Sequence, residues 1–170
     1  MGLFSFIKNA GAKVFGIGTT TEKEKSKAKA AANAKTAADE LKAEEQAARQ
    51  LEQTIRDLQL NVENLKITVD DDQATVEGKA YDQATKEKVV LVVGNTHGIA
   101  TVDDQLMVEH IEPEAKFYTV VNGDTLSKIA KAYYGNALKY PVIFEANKPM
   151  LKDANLIYPG QVLRIPALDK

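Results

Sequence analysis

The chain has 170 residues, 44% of them hydrophobic and 27% charged, with a net charge of −2 and no cysteine. That length allows one or two domains of about 100–150 residues each, and the near-neutral balance gives no electrostatic footprint for nucleic acid. Without cysteine there are no disulfides, no thiolate metal sites and no cysteine nucleophile, so packing alone must hold the fold.

Residues 1–18 come first. Phe4, Ile7, Ala10, Val14 and Phe15 recur at roughly helical spacing, while Gly11, Gly16 and Gly18 weaken one continuous helix. A short amphipathic helix followed by a turn is expected, packed as a hydrophobic flap; a membrane-surface anchor is the alternative, with only Lys8 and Lys13 to meet headgroups. Lys8, Asn9 and Lys13 interrupt the apolar run too early for a secretory signal, and Phe6 stands where a myristoylation motif needs Ser or Thr. No run approaches the ~18 apolar residues of a membrane span. A cytoplasmic protein without membrane insertion is therefore expected.

Residues 19–47 are rich in Ala, Lys and Glu, and Leu41 is almost their only large apolar residue. They read as a helical linker with little to bury. From residue 48, Leu51, Ile55 and Leu58 give the stripe of a core-facing helix. Leu65, Ile67 and Val69 then alternate with polar residues, Asp70-Asp71-Asp72-Gln73 makes a polar turn, and Ala74 and Val76 alternate again, which is a hairpin with one buried face closed by Gly78. Asp82 caps a helix from about Gln83 to Val93, stopped by Gly94-Asn95. A last strand is expected from Ile99 to Val108, kinked near Asp103-Asp104. The order is αββαβ over 48–111.

After a linker at 112–116, residues 117–170 read as β-α-α-β. Phe117–Val121 forms a strand, Asn122-Gly123 turns it, and Asp124 or Thr125 caps a helix to about Tyr134. A second helix covers Tyr140–Asn147, with Pro141 in its first turn and Ile143 and Phe144 buried. Gln161–Ile165 is the closing strand. The fold class is thus α+β, with two small domains behind an N-terminal helix and a helical segment.

Catalytic chemistry is poorly served. The two histidines, His97 and His110, lie in a loop and near a linker, away from any nucleophile, and neither stands at ligand spacing from another metal donor. Asp70-Asp71-Asp72 lacks the twelve-residue pattern of a calcium loop. No enzyme is expected.

Specific stretches carry two resemblances. Ala74-Thr-Val-Glu-Gly78, the helix from Gln83, and Gly94-Asn-Thr-His-Gly98-Ile-Ala-Thr-Val-Asp-Asp104 resemble a BON domain. Tyr118-Thr-Val-Val-Asn-Gly-Asp-Thr-Leu-Ser127, Ile143-Phe-Glu-Ala-Asn147 and Ile157-Tyr-Pro-Gly-Gln-Val-Leu-Arg-Ile-Pro166 closely resemble LysM. LysM modules bind N-acetylglucosamine polymers, which implies a glycan groove of Gly123, Asp124, Thr125 and Leu126 facing Asn155, Leu156 and Ile157, with Leu126 and Ile157 giving apolar contact.

The whole arrangement is similar to a bacterial potassium-binding family that joins one BON to one LysM domain. Met1-Gly-Leu-Phe4, Val93-Gly-Asn95, Gly98-Ile-Ala100, Val102-Asp-Asp-Gln105 and Phe144-Glu-Ala-Asn-Lys-Pro-Met-Leu-Lys152 carry this likeness, which fails over about residues 19–60. It implies K+ as ligand, held by the main-chain carbonyls of Ile7, Ala10, Gly94, Thr96 and Ile99, in a monomer that compacts on binding. Such a site needs no side-chain ligands, because a large monovalent ion is well served by carbonyl dipoles.

Overall fold

The computed structural model describes residues 2–6 and 32–168. In chain order the elements are β1 (Gly2–Ser5), α1 (Ala32–Asp57), β2 (Val62–Asp70), β3 (Gln73–Asp82), α2 (Gln83–Gly94), β4 (Thr101–His110), β5 (Lys116–Thr119), α3 (Leu126–Tyr134), a 3₁₀ turn (Ala137–Lys139), α4 (Tyr140–Ala146) and β6 (Val162–Ile165). The expected αββαβ and βααβ orders are both present. The first unit closes as a four-stranded sheet in the order β1-β4-β3-β2, and the second holds the two-stranded pair β5-β6.

The N-terminus departs from expectation. Residues 2–5 form a strand, antiparallel to β4, with Gly2 opposite Asp104 and Ser5 opposite Thr101. The amphipathic helix expected over 1–18 therefore does not begin there, and its remainder lies outside the described residues. Phe4 and Phe6 pack on the main core. The free edge of β4 offers backbone partners to any extended segment, and that outweighs a weak helical period in a glycine-bearing run.

Helix α1 passes through residues 47 and 48 without a break. Its buried stripe is Ala48, Leu51 and Ile55, while Leu41 is exposed. Glu52 and Glu44 tie it to the hairpin, accepting from the Ile67 N–H at 3.0 Å and the Asp71 N–H at 3.1 Å. The second of these places the Asp70-Asp71-Asp72 turn in a structural role.

Gly78 does not close β3, which runs on to Asp82. It sits at φ +141°, opposite a register shift in β2, where a Cβ would fall 2.8 Å from Val62 Cγ1 and 2.9 Å from the Glu63 carbonyl. The glycine lets the bulged strand approach closely. Nor does β4 kink at Asp103-Asp104: its alternation is unbroken, and Asp104 takes an inward position between Val102 and Leu106. Buried there, it pairs with Lys86 of α2 at 3.0 Å.

Helix α2 crosses between the parallel strands β3 and β4. Asp82 caps it by accepting from the Thr85 N–H at 2.7 Å. Burial alone would raise the Asp82 carboxyl, but the bonds from Thr85, with Lys88 and Arg164 nearby, hold it below the ordinary carboxylate value. Five successive residues, Val89 to Val93, are buried, so the C-terminal half of this helix is enclosed on all sides rather than along one stripe. The second unit accounts for that enclosure: Met150 and Val162 join the first unit's core, with Phe117 packed against it. A separate small core forms around Leu126, Ile129, Ile143, Leu151 and Leu163. Phe144, expected in it, is only partly buried at its edge.

Candidate functional site

The turn from α2 to β4 holds Gly94, Thr96 and Ile99, whose carbonyls the family resemblance implies as ion ligands. Its shape follows from the way α2 ends. The Asn95 N–H donates to Leu91 O at 2.9 Å and the Thr96 N–H to Val93 O at 3.1 Å, while the Thr96 hydroxyl donates to Val92 O at 2.8 Å. The carbonyls of Leu91, Val92 and Val93 are thus used, and the chain turns at Gly98, where φ is +95°. Within the turn, the Thr96 carbonyl accepts only a long bond from the Ile99 N–H, at 3.3 Å. Among the described residues, the Gly94 and Ile99 carbonyls accept none.

The N-terminal strand ends on this turn. The Phe6 N–H donates to Ala100 O at 2.7 Å. The Phe6 ring fills the space over Gly94 so closely that a Cβ there would fall inside it. Gly94 is therefore a glycine for room, as the final residue of α2, and not for a left-handed turn. Ile7 and Ala10 lie outside the described residues. Gly94, Thr96 and Ile99 come together in one buried turn, with the N-terminal segment against it.

Sequence reasoning missed the residue at the centre of the turn. Asn95 is 3% exposed, and its side chain reaches the second unit. Asn95 Nδ2 donates to Val162 O at 2.9 Å, and the Val162 N–H donates to Asn95 Oδ1 at 2.8 Å. One amide thus replaces a neighbouring strand along the free edge of β6. Two residues on, Asn147 does the same from within the second unit, its amide exchanging bonds with the backbone of Arg164, both at 2.8 Å. The Arg164 guanidinium turns back to Glu87 of α2, a buried ion pair whose carboxylate also accepts from Gln83 Nε2 and the Ala115 N–H, each at 2.9 Å.

A cavity of about 220 Å³ lies beside this junction, lined by Phe4, Lys86, Glu87, Asp104 and Phe117 among others. Its buried carboxylates are held by Lys86 and Arg164. Among the described residues no group of His, Cys, Asp or Glu is arranged to hold a metal ion through side chains. His110 meets the Tyr81 carbonyl at 3.0 Å, and the Nδ1 of His97 is buried without a partner among the described residues.

In the second unit, the loop before α3 is tightly self-bonded. Asp124 accepts from the Tyr118 hydroxyl at 2.8 Å and from the Val121 N–H at 2.9 Å, and Lys128 Nζ caps the Gly123 carbonyl at 2.7 Å. The Asp124 carboxylate raises the Tyr118 phenol. Thr125 serves as the α3 cap, accepting from the Lys128 N–H at 3.2 Å. The Leu126 side chain is buried in the second core. On the opposite loop Ile157 packs on the same core, Asn155 is turned onto Asp153, and Leu156 is the exposed apolar side chain.

Two family models account for these units: a BON domain matches residues 42–110 and a LysM domain matches residues 118–166. The molecule is thus a BON–LysM protein whose two domains meet along α2 and β6. Over 166 residues it is 42% identical to the potassium binding protein Kbp of Escherichia coli O6:H1, an alignment that covers 98% of this chain and 99% of that protein. The chain belongs to the Kbp family. Two further likenesses are local: an uncharacterized protein of Deinococcus radiodurans is 51% identical over 49 residues, 19% of its length, and an esterase of Mycobacterium tuberculosis is 47% identical over 55 residues, 12% of its length. Among the described residues no helix is long and apolar enough to cross a membrane.

Proposed function

We propose that this chain is a cytoplasmic potassium sensor that holds K+ through main-chain carbonyls and compacts on binding. The observation that carries the reading is the seating of the N-terminal strand on the α2–β4 turn, through the Phe6–Ala100 bond and the Phe6 ring on Gly94. It brings a second stretch of backbone to a turn whose Gly94 and Ile99 carbonyls have no partner among the described residues. Carbonyls from Gly94, Thr96 and Ile99, joined by those of Ile7 and Ala10, would replace the water around a large monovalent ion. Without the ion these dipoles repel one another, which favours a looser chain. Binding then stabilises the state in which they converge. Near-complete coverage of a relative named for binding potassium supports the ligand.

The test is a cation series at matched ionic strength on the full chain. Potassium, rubidium and caesium should raise the melting temperature and reduce the hydrodynamic radius, with sodium and lithium far weaker. An equal response to sodium and potassium would contradict the reading. The second reading, glycan binding by the LysM domain, rests on the exposed Leu156 and the backbone around Asp124 and Asn155. It predicts amide shifts there on adding chitooligosaccharide.

A further inference from the structure

Resting on the potassium reading, we infer that Asn95 is the positioning residue that ties the ion-binding turn to the LysM domain, so that docking of β6 sets the affinity for the ion. Asn95 lies between Gly94 and Thr96, and its own backbone joins their peptide groups. Its side chain, 3% exposed, is committed at both ends to Val162. No rotation of the Gly94–Thr96 peptides can occur without breaking or dragging those two bonds. The helix end holds the same residue from the other side, through the Asn95 N–H on Leu91 O at 2.9 Å. The turn is therefore fixed between a BON helix and a LysM strand.

The two Asn95–Val162 bonds are buried, so separating the domains would leave a donor and an acceptor at each end to find water. While docked, they restrict the Gly94 and Thr96 carbonyls to one orientation. An ion that requires that orientation favours docking, and docking favours the ion, by the same factor in both directions. The buried Glu87–Arg164 pair defines the docked state away from the turn, while Val162 and Met150 share the BON core with Ile99 of the turn. Among the described side-chain hydrogen bonds between the domains, only those of Asn95 come from the turn.

The experiment titrates full-length protein with KCl against NaCl at constant ionic strength. It reads the potassium midpoint from amide shifts in residues 94–100 and, separately, the hydrogen exchange of the Val162 amide. In the native sequence potassium should slow Val162 exchange. In Asn95→Ala the midpoint should weaken by about tenfold, within the usual span of coupling between sites. Its Val162 exchange should no longer respond to the ion, while melting in NaCl stays cooperative. A native midpoint in Asn95→Ala, or a Val162 amide that still responds, overturns the inference. Should Asn95→Ala fail to fold, the double variant Glu87→Gln/Arg164→Met loosens the same docking away from the turn. It should weaken the midpoint as well, and an unchanged value overturns the inference. Native protein that fails to distinguish potassium from sodium sinks the potassium reading itself, whereas a selective native protein with indifferent variants sinks only the role of Asn95.

Discussion

Asn95 and Asn147 perform the same chemistry on the same strand with different consequences. Each offers a carboxamide to the free edge of β6 and exchanges two bonds with one backbone residue, Val162 or Arg164. The two partners are two residues apart, so their N–H and C=O groups point to the same side of the strand. Asn147 belongs to the domain whose strand it completes, and a further bond from its Nδ2 to Ile143 O at 2.7 Å anchors it to α4. Asn95 comes from the other domain. One residue ties the strand to its own domain, and the other ties it to the BON domain. The strand edge is shared between folding and docking.

Breaking the folding half should have the larger effect. Asn147→Ala removes three buried side-chain bonds and leaves the Arg164 backbone groups unpaired. At about 1–3 kcal/mol for each stranded group, the LysM domain should lose roughly 3 kcal/mol or more. Urea unfolding followed at LysM amides would show this, with BON amides retaining most of their protection. A loss shared equally by both domains would mean that the two unfold as one unit and that the division drawn between the asparagines is wrong.

A smaller and more local effect is expected at Gly94. A methyl group there must displace the Phe6 ring, because the helix backbone cannot yield. Gly94→Ala should cost about 1–3 kcal/mol by overpacking, relieved by release of β1 from β4. Hydrogen exchange at Phe6 should rise sharply while exchange within α2 changes little. Unchanged protection at Phe6 would show that the ring does not depend on this glycine, and would weaken the link drawn between the N-terminal strand and the turn.

The contrast also shows what a sequence can reveal. Period-two alternation from Leu65 to Val76 and the helical stripe of Leu51 and Ile55 came directly from burial on one face, so both domain orders were legible. The caps at Asp82 and Thr125 were legible for a similar reason, because their partners lie three residues away. Asn95 read only as a helix stop, since the groups it bonds lie 67 residues along the chain. No local period records such a partner. Gly94 likewise read as a stop signal, although the ring that demands it belongs to Phe6. The strand at Gly2–Ser5 is not legible locally, because four residues fit a helical or an extended period equally well and the distant edge of β4 makes the choice. Leu126 belongs to the glycan groove that the LysM likeness implies, and its place in the α3 stripe with Ile129 and Ala130 also reads as core, where its side chain is buried. The carbonyls proposed for the ion carry no side-chain signal at all, and only the family likeness pointed to them.

The most direct test of the account is replacement of sodium by potassium at constant ionic strength while backbone amides are followed in the native chain. Shifts should concentrate at residues 94–100 and at Phe6, with Val162 moving at the same midpoint and the loops around Asp124 and Asn155 staying still. Shifts confined to those LysM loops, or none that distinguish the two ions, would contradict it.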